Sequence, residues 1–129
     1  MSESLNRKYK LKSRKTIELL FKEGEQLRSY PFMVYCKAVE LPEGIPFQFV
    51  FAAPKRQFKK AHDRNRVKRL MFECFRKKKL ILEEQLQKEQ KQFAFFVIYT
   101  QKELPVYADL LQSTEKLMHK INTLISDEK

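Results

Sequence analysis

The densest run of functional side chains in this sequence is Asp63-Arg64-Asn65-Arg66-Val67-Lys68-Arg69. Guanidinium groups offer planar forks of N–H donors that match two phosphate oxygens at once and also stack on bases. Lysine adds a point charge, and an amide both donates to and accepts from base edges and ribose hydroxyls. Lys55, Arg56, Lys59 and Lys60 precede the run, and Arg76, Lys77, Lys78 and Lys79 follow it. Residues 55–79 thus hold twelve Lys or Arg against Asp63 and Glu73, a balance of +10 in a chain of net charge +11. An ordinary solvated helix face interleaves acids at i+4 to offset such repulsion. Here the repulsion is largely uncompensated, which points to a polyanionic partner, and the residue types point to structured nucleic acid.

The sequence offers little for hydrolysis. It holds no plausible Ser/His/Asp or Cys/His set, no carboxylate cluster for two metals and no glycine-rich phosphate loop, so no catalytic residue is assigned. His62 and Asp63 adjoin the basic run, where helix-start and capping roles account for both. Cys36 and Cys74 fall on apolar faces and are expected to be reduced thiols. His62 and His119 lie far apart and no Cys-x-x-Cys pair occurs, so no protein-held metal is expected. The first residues carry no apolar stretch and no run is long enough to span a bilayer, which predicts a cytoplasmic protein without a membrane role. Only two glycines, Gly24 and Gly44, five scattered prolines and no repeat argue for a single domain over 1–129 with its core at about 9–125.

The elements that must carry these residues are legible from periodicity. Ser13 suits an N-cap, Ile17, Leu20 and Phe21 follow at helical spacing, and Gly24 suits a C-cap, predicting a helix over Arg14–Glu23. Phe32, Val34, Cys36 and Ala38 alternate with Met33, Tyr35, Lys37 and Val39, as a strand does. Turn chemistry over 41–46 leads to a second alternating strand with Phe47, Phe49 and Phe51 on one face, and these two strands are expected to pair antiparallel. After a basic loop, a helix starts near Ala61 or His62. It gathers Val67, Leu70, Met71, Cys74 and Phe75 on one side and Asn65, Lys68, Arg69, Phe72, Glu73 and Arg76 on the other. The unbroken apolar run over Phe93–Tyr99 reads as a strand buried on both faces, in mid-sheet. A final helix over about 106–125 covers the sheet. The prediction is an α+β two-layer sandwich, a mainly antiparallel sheet of about four strands packed by helices.

The segment 53–70, APKRQFKKAHDRNRVKRL, resembles the basic loop and Arg-Asn-Arg-[Ile/Val]-Lys-Arg-Leu signature of the bacterial ribonuclease P protein component family. The likeness extends from the Leu11 to Gly24 element, through Phe32 to Tyr35, to the Phe93 strand and the last helix, about residues 9–125. The central motif is specific, and the flanks support it. The resemblance implies a left-handed crossover into the basic helix, a fold class also used by a ribosomal-protein domain. It implies that Arg64, Asn65, Arg66, Lys68, Arg69 and Arg76 face a catalytic RNA. Ile17, Phe21, Tyr35 and Lys37 would line a cleft for the single-stranded 5′ leader of precursor tRNA, with Lys55 and Arg56 beside it. It further implies Mg²⁺ bound chiefly by the RNA, endonucleolytic removal of the leader with the catalytic groups in the RNA, and no obligate protein partner. The chain departs from the family pattern at Val50, where a glycine is common, at Pro54, and at Arg56 in place of the second lysine.

Other readings stay open at this level. Ile17 and Phe21, at i and i+4, suit the core as well as a cleft. Phe72 suits either stacking on RNA or packing under a loop. A ribosomal or assembly protein would clamp structured RNA through the same helix. A helix-turn-helix DNA binder needs a short helical turn where a strand and a Pro-containing loop stand. A self-sufficient nuclease needs a catalytic set that the sequence does not offer.

Overall fold

The structure, a computed structural model, describes residues 9–127. The outermost residues of the expected 1–129 domain, 1–8 and 128–129, lie outside the described residues. The elements run α1 (Arg14–Glu23), β1 (Glu25–Ser29), β2 (Phe32–Ala38), β3 (Phe47–Ala52), α2 (Ala61–Glu89), β4 (Phe93–Tyr99) and α3 (Tyr107–Asp127). Helix α1 has the bounds its caps predict. The Ser13 hydroxyl oxygen accepts from the Thr16 N–H at 3.2 Å. The Gly24 N–H donates to the Leu20 carbonyl at 2.9 Å from an extended backbone with φ −71°. Glycine is needed there for space: a Cβ would overlap the Leu20 carbonyl oxygen and lie 3.1 Å from that of Cys36.

The four strands form one sheet in the order β1-β2-β4-β3. Strand β2 pairs antiparallel with β1 and with β4, whereas β3 pairs parallel with β4. The expected hairpin between β2 and β3 is therefore absent, because β4 lies between them. The apolar run of β4 favours a place between two strands over an edge, and Gln92, immediately before β4, ties the β2–β3 connection to it. Its side-chain amide donates to the carbonyls of Leu41, Pro42 and Ile45 at 2.9–3.1 Å, and its oxygen accepts from the Leu41 N–H at 3.0 Å. The β2–β3 connection is thus held over the start of β4 instead of folding back on itself, and β4 takes the central place, with one face buried and Phe96 and Ile98 on the other only partly covered. Strand β1 is also new relative to the sequence reading. Its sequence EQLRS holds a single apolar residue, Leu27, and it lies at the sheet edge with Gln26 and Arg28 exposed.

One sheet face carries the main core. Phe32, Val34, Phe47, Phe49, Phe93, Phe95 and Val97 meet Val67, Met71, Cys74 and Phe75 of α2 and Leu110, Leu117, Met118 and Ile121 of α3, all buried. The opposite face is only partly covered by α1, through a small cluster of Leu11, Leu20 and Ala94 flanked by Ile17, Tyr35, Val50 and Phe96. Helix α2 runs as the crossover between parallel neighbours β3 and β4, so its buried face is fixed by the sheet and its basic arc points away. Both cysteines are buried thiols that form no disulfide, and burial pushes the Cys74 thiol up to about 11. No helix among the described residues is long and apolar enough to cross a membrane.

Candidate nucleic-acid interface

The basic segment divides into cations engaged by the fold and cations left to solvent. Pro54 opens a turn by accepting from the N–H groups of Gln57 at 3.1 Å and Phe58 at 3.2 Å. Phe58 is buried against the Tyr99 ring at 6.0 Å, and the Gln57 amide donates to the Thr100 carbonyl. With these two residues anchoring the loop, Lys55 and Arg56 stand exposed at its tip. Arg64, in the first turn of α2, reaches back to donate to the carbonyls of Phe58 at 2.8 Å and Lys59 at 3.0 Å. Its guanidinium fastens the loop to a helix that has no side-chain N-cap bond.

Arg76, assigned to the RNA face by resemblance, pairs with Glu73 one turn earlier at 2.8 Å. The hydrogen bond from Arg76 holds the Glu73 carboxyl below its ordinary value. Lys78 pairs with Glu115 of α3 at 2.8 Å, and Lys79 is buried with its ammonium 5.5 Å from the centre of the Tyr9 ring. Asn65, Arg66, Lys68 and Arg69 are exposed, and none of Lys55, Arg56, Arg66, Lys68 and Arg69 has a carboxylate partner among the described residues. The structure therefore groups Asn65, Arg66, Lys68 and Arg69 on one open arc of α2 and turns Arg64 and Arg76 toward the chain itself.

A second surface lies on the sheet face beneath α1. Phe21, 48% exposed, places its ring 4.7 Å from both Tyr35 and Phe96. Tyr35 and Phe96 are cross-strand partners in the β2–β4 register, so the three rings form an open aromatic cluster. Phe96 is not among the residues that the sequence singles out. Its place in a strand face is readable, but its partner is not, because the β2–β4 pairing is long-range. Ile17 packs against the Leu11, Leu20 and Ala94 cluster beside the rings. Lys37 sits on the same strand face and pairs with Glu23 at 3.7 Å.

Between these surfaces, at the outer edge of β3, the chain entering α1 adds to the sheet: the Leu11 N–H donates to the Phe49 carbonyl at 2.8 Å, and Lys10 bridges Phe49 in parallel. This covers part of an otherwise open strand edge. A groove of about 400 Å³ opens there between residues 9–12, β3 and the basic arc of α2.

Comparison with known proteins follows the same lines. A family model described as Ribonuclease P matches residues 5–122. The ribonuclease P protein component of Thermotoga petrophila is 37% identical over 82 residues, which cover 64% of this chain and 67% of that protein. That of Porphyromonas gingivalis is 27% identical over 117 residues, covering 91% and 85%. Among solved structures, the RNase P protein from Thermotoga maritima superimposes with a TM-score of 0.67 at 23% identity, covering 86% of this chain and 96% of that one. The Staphylococcus aureus RNase P protein gives 0.65 at 19% identity, covering 88% and 94%. At these identities the structural likeness shows a shared fold.

Proposed function

Because this chain belongs to the Ribonuclease P family, we infer that it is the protein subunit of a ribonucleoprotein that matures tRNA, binding a catalytic RNA and the 5′ leader of precursor tRNA. The observation that carries the reading is the open arc of α2, where Arg66, Lys68 and Arg69 are exposed without carboxylate partners among the described residues. Like charges so placed repel one another, and the helix tolerates them because its other face is anchored in the core. Folded RNA relieves that repulsion by lining phosphates along the arc, with release of counterions. Asn65 would contribute amide contacts to a base edge or a ribose hydroxyl.

The Phe21, Tyr35 and Phe96 rings suit a single strand, since every base has a flat face and stacking is indifferent to sequence. In this scheme the leader lies across the rings, and Lys55 and Arg56 hold phosphates nearby. The chain's contribution is then to bind and orient. It gains affinity for substrates that still carry a leader, and offsets repulsion between two RNAs. The described residues contain no group of three or more His, Cys, Asp or Glu side chains that could hold a metal ion. The proposal places Mg²⁺ and the hydrolytic groups with the RNA. A cytoplasmic location belongs to the same proposal.

Reconstitution with a bacterial ribonuclease P RNA tests it. Cleavage of precursor tRNA at low Mg²⁺ should be stimulated by the protein. RNA binding without stimulation would instead favour an assembly protein, and Mg²⁺-dependent cleavage by the RNA-free chain would reveal a nuclease in its own right. The leader assignment has a separate test. Tyr35→Ala should weaken binding of leader-bearing precursor tRNA by about 1–3 kcal/mol, the scale of one base stacked on an aromatic ring, while sparing leaderless tRNA. Equal loss for both substrates would remove Tyr35 from the cleft.

A further inference from the structure

The groove at the β3 edge adds an apolar lining to part of the basic arc of α2. Its apolar lining includes Leu11, Phe51 and Phe72, and its polar lining includes Asn65, Lys68 and Arg69. Phe72 is the informative residue. It sits on the polar arc of α2, only half-buried, with its ring 6.3 Å from Phe51 and edge-on to it. Its spacings of three, four and seven residues from Arg69, Lys68 and Asn65 put all four side chains on one side of the helix.

We propose that this groove receives one unstacked nucleobase of the catalytic RNA, seated against Phe72 and Phe51, with Lys68 and Arg69 holding the phosphates on either side of it. The inference rests on the RNA-binding reading of α2 and deepens it by naming a base-sized subsite within that face. Charge complementarity selects the occupant. No carboxylate lines the groove among the described residues, and Lys10 and Lys12 add two more cations to its lining. A purely apolar partner gains nothing from four cations, and a bare phosphate gains nothing from an aromatic lining. A base carried on a phosphodiester chain uses both. The volume of about 400 Å³ lies within the range of about 300–1,000 Å³ usual for small-molecule pockets. Asn65 in the lining offers a donor and an acceptor to the base edge.

The test uses the full chain with a bacterial ribonuclease P RNA, measuring affinity over a salt series and base protection by chemical probing. Phe72→Ala should lower affinity about five- to 150-fold, the fold-change matching one stacked base, without changing the slope of log affinity against log salt. One nucleotide protected by the wild-type chain should become reactive. Phe72→Leu keeps an apolar contact with Phe51 but lacks a flat face, so it should lose the same protection even if the alanine variant folds poorly, whereas Phe72→Tyr should retain it. Lys68→Ala should do the reverse, flattening the salt slope by about one while the base stays protected. The subsite alone is overturned if the wild-type chain binds tightly and the Leu and Ala variants match it in affinity and footprint. It is overturned together with the RNA-binding reading if the wild-type chain does not bind the RNA at all.

Discussion

Replacing Arg66, Lys68 and Arg69 together by alanine is expected to lower affinity for a bacterial ribonuclease P RNA by about 3–5 kcal/mol, roughly two to four orders of magnitude. Single nucleic-acid contacts of this kind contribute about 1–3 kcal/mol each, and neighbours on one helix face share phosphates, so the sum falls short of full additivity. Filter binding between about 50 and 200 mM salt should also show a slope shallower by about three, one for each phosphate that the variant no longer neutralises. The free variant should melt no lower than the wild type, because all three side chains are exposed and alanine both favours helix and relieves like-charge repulsion. An unchanged salt slope would sink the assignment of this arc to RNA. Arg64 and Arg76 are expected to behave differently. Arg64 holds the Phe58 and Lys59 carbonyls and Arg76 holds Glu73, so their loss loosens the helix start or frees a carboxylate on the face.

Phe75→Ala is expected to destabilise the protein by about 3–5 kcal/mol in chemical unfolding, the usual cost of emptying a buried phenylalanine site. Phe75 is fully buried, with its ring 4.9 Å from Phe49, 5.0 Å from Phe51 and 5.9 Å from Phe32, so one side chain of α2 grips both β2 and β3. Against a typical total of about 5–15 kcal/mol, that loss is large. It bears on function because the same packing sets the rotation of α2, which decides where Arg66, Lys68 and Arg69 point. A loss under about 1 kcal/mol would mean that α2 is not seated on the sheet through this ring.

Much of this protein is written locally in its residues. The bounds of α1 follow from Ser13 and Gly24, the strand character of β2 and β3 from alternation, the central place of β4 from its unbroken apolar run, and the two faces of α2 from a helical period; the face of β4 that carries Phe96 and Ile98 is less covered than that run predicts. The preference for a polyanion follows from charge counting alone, since twelve cations face only Asp63 and Glu73 across 55–79. Periodicity reports which side of an element is buried. It does not report against what.

Contacts between residues distant in sequence decided the remainder. The pairing of β3 with β4, in place of a β2–β3 hairpin, is a long-range choice that the alternation of β2 and β3 does not encode, and Gln92 joins in it by bonding a connection some fifty residues earlier. Strand β1 is invisible to periodicity because an exposed edge strand needs no alternation, only a neighbour to pair with. The division of the basic segment, with Arg64, Arg76 and Lys78 engaged and Arg66, Lys68 and Arg69 open, was equally hidden. A charge is free or spent according to whether an acceptor lies within a few ångströms, and that distance exists only once the chain has folded.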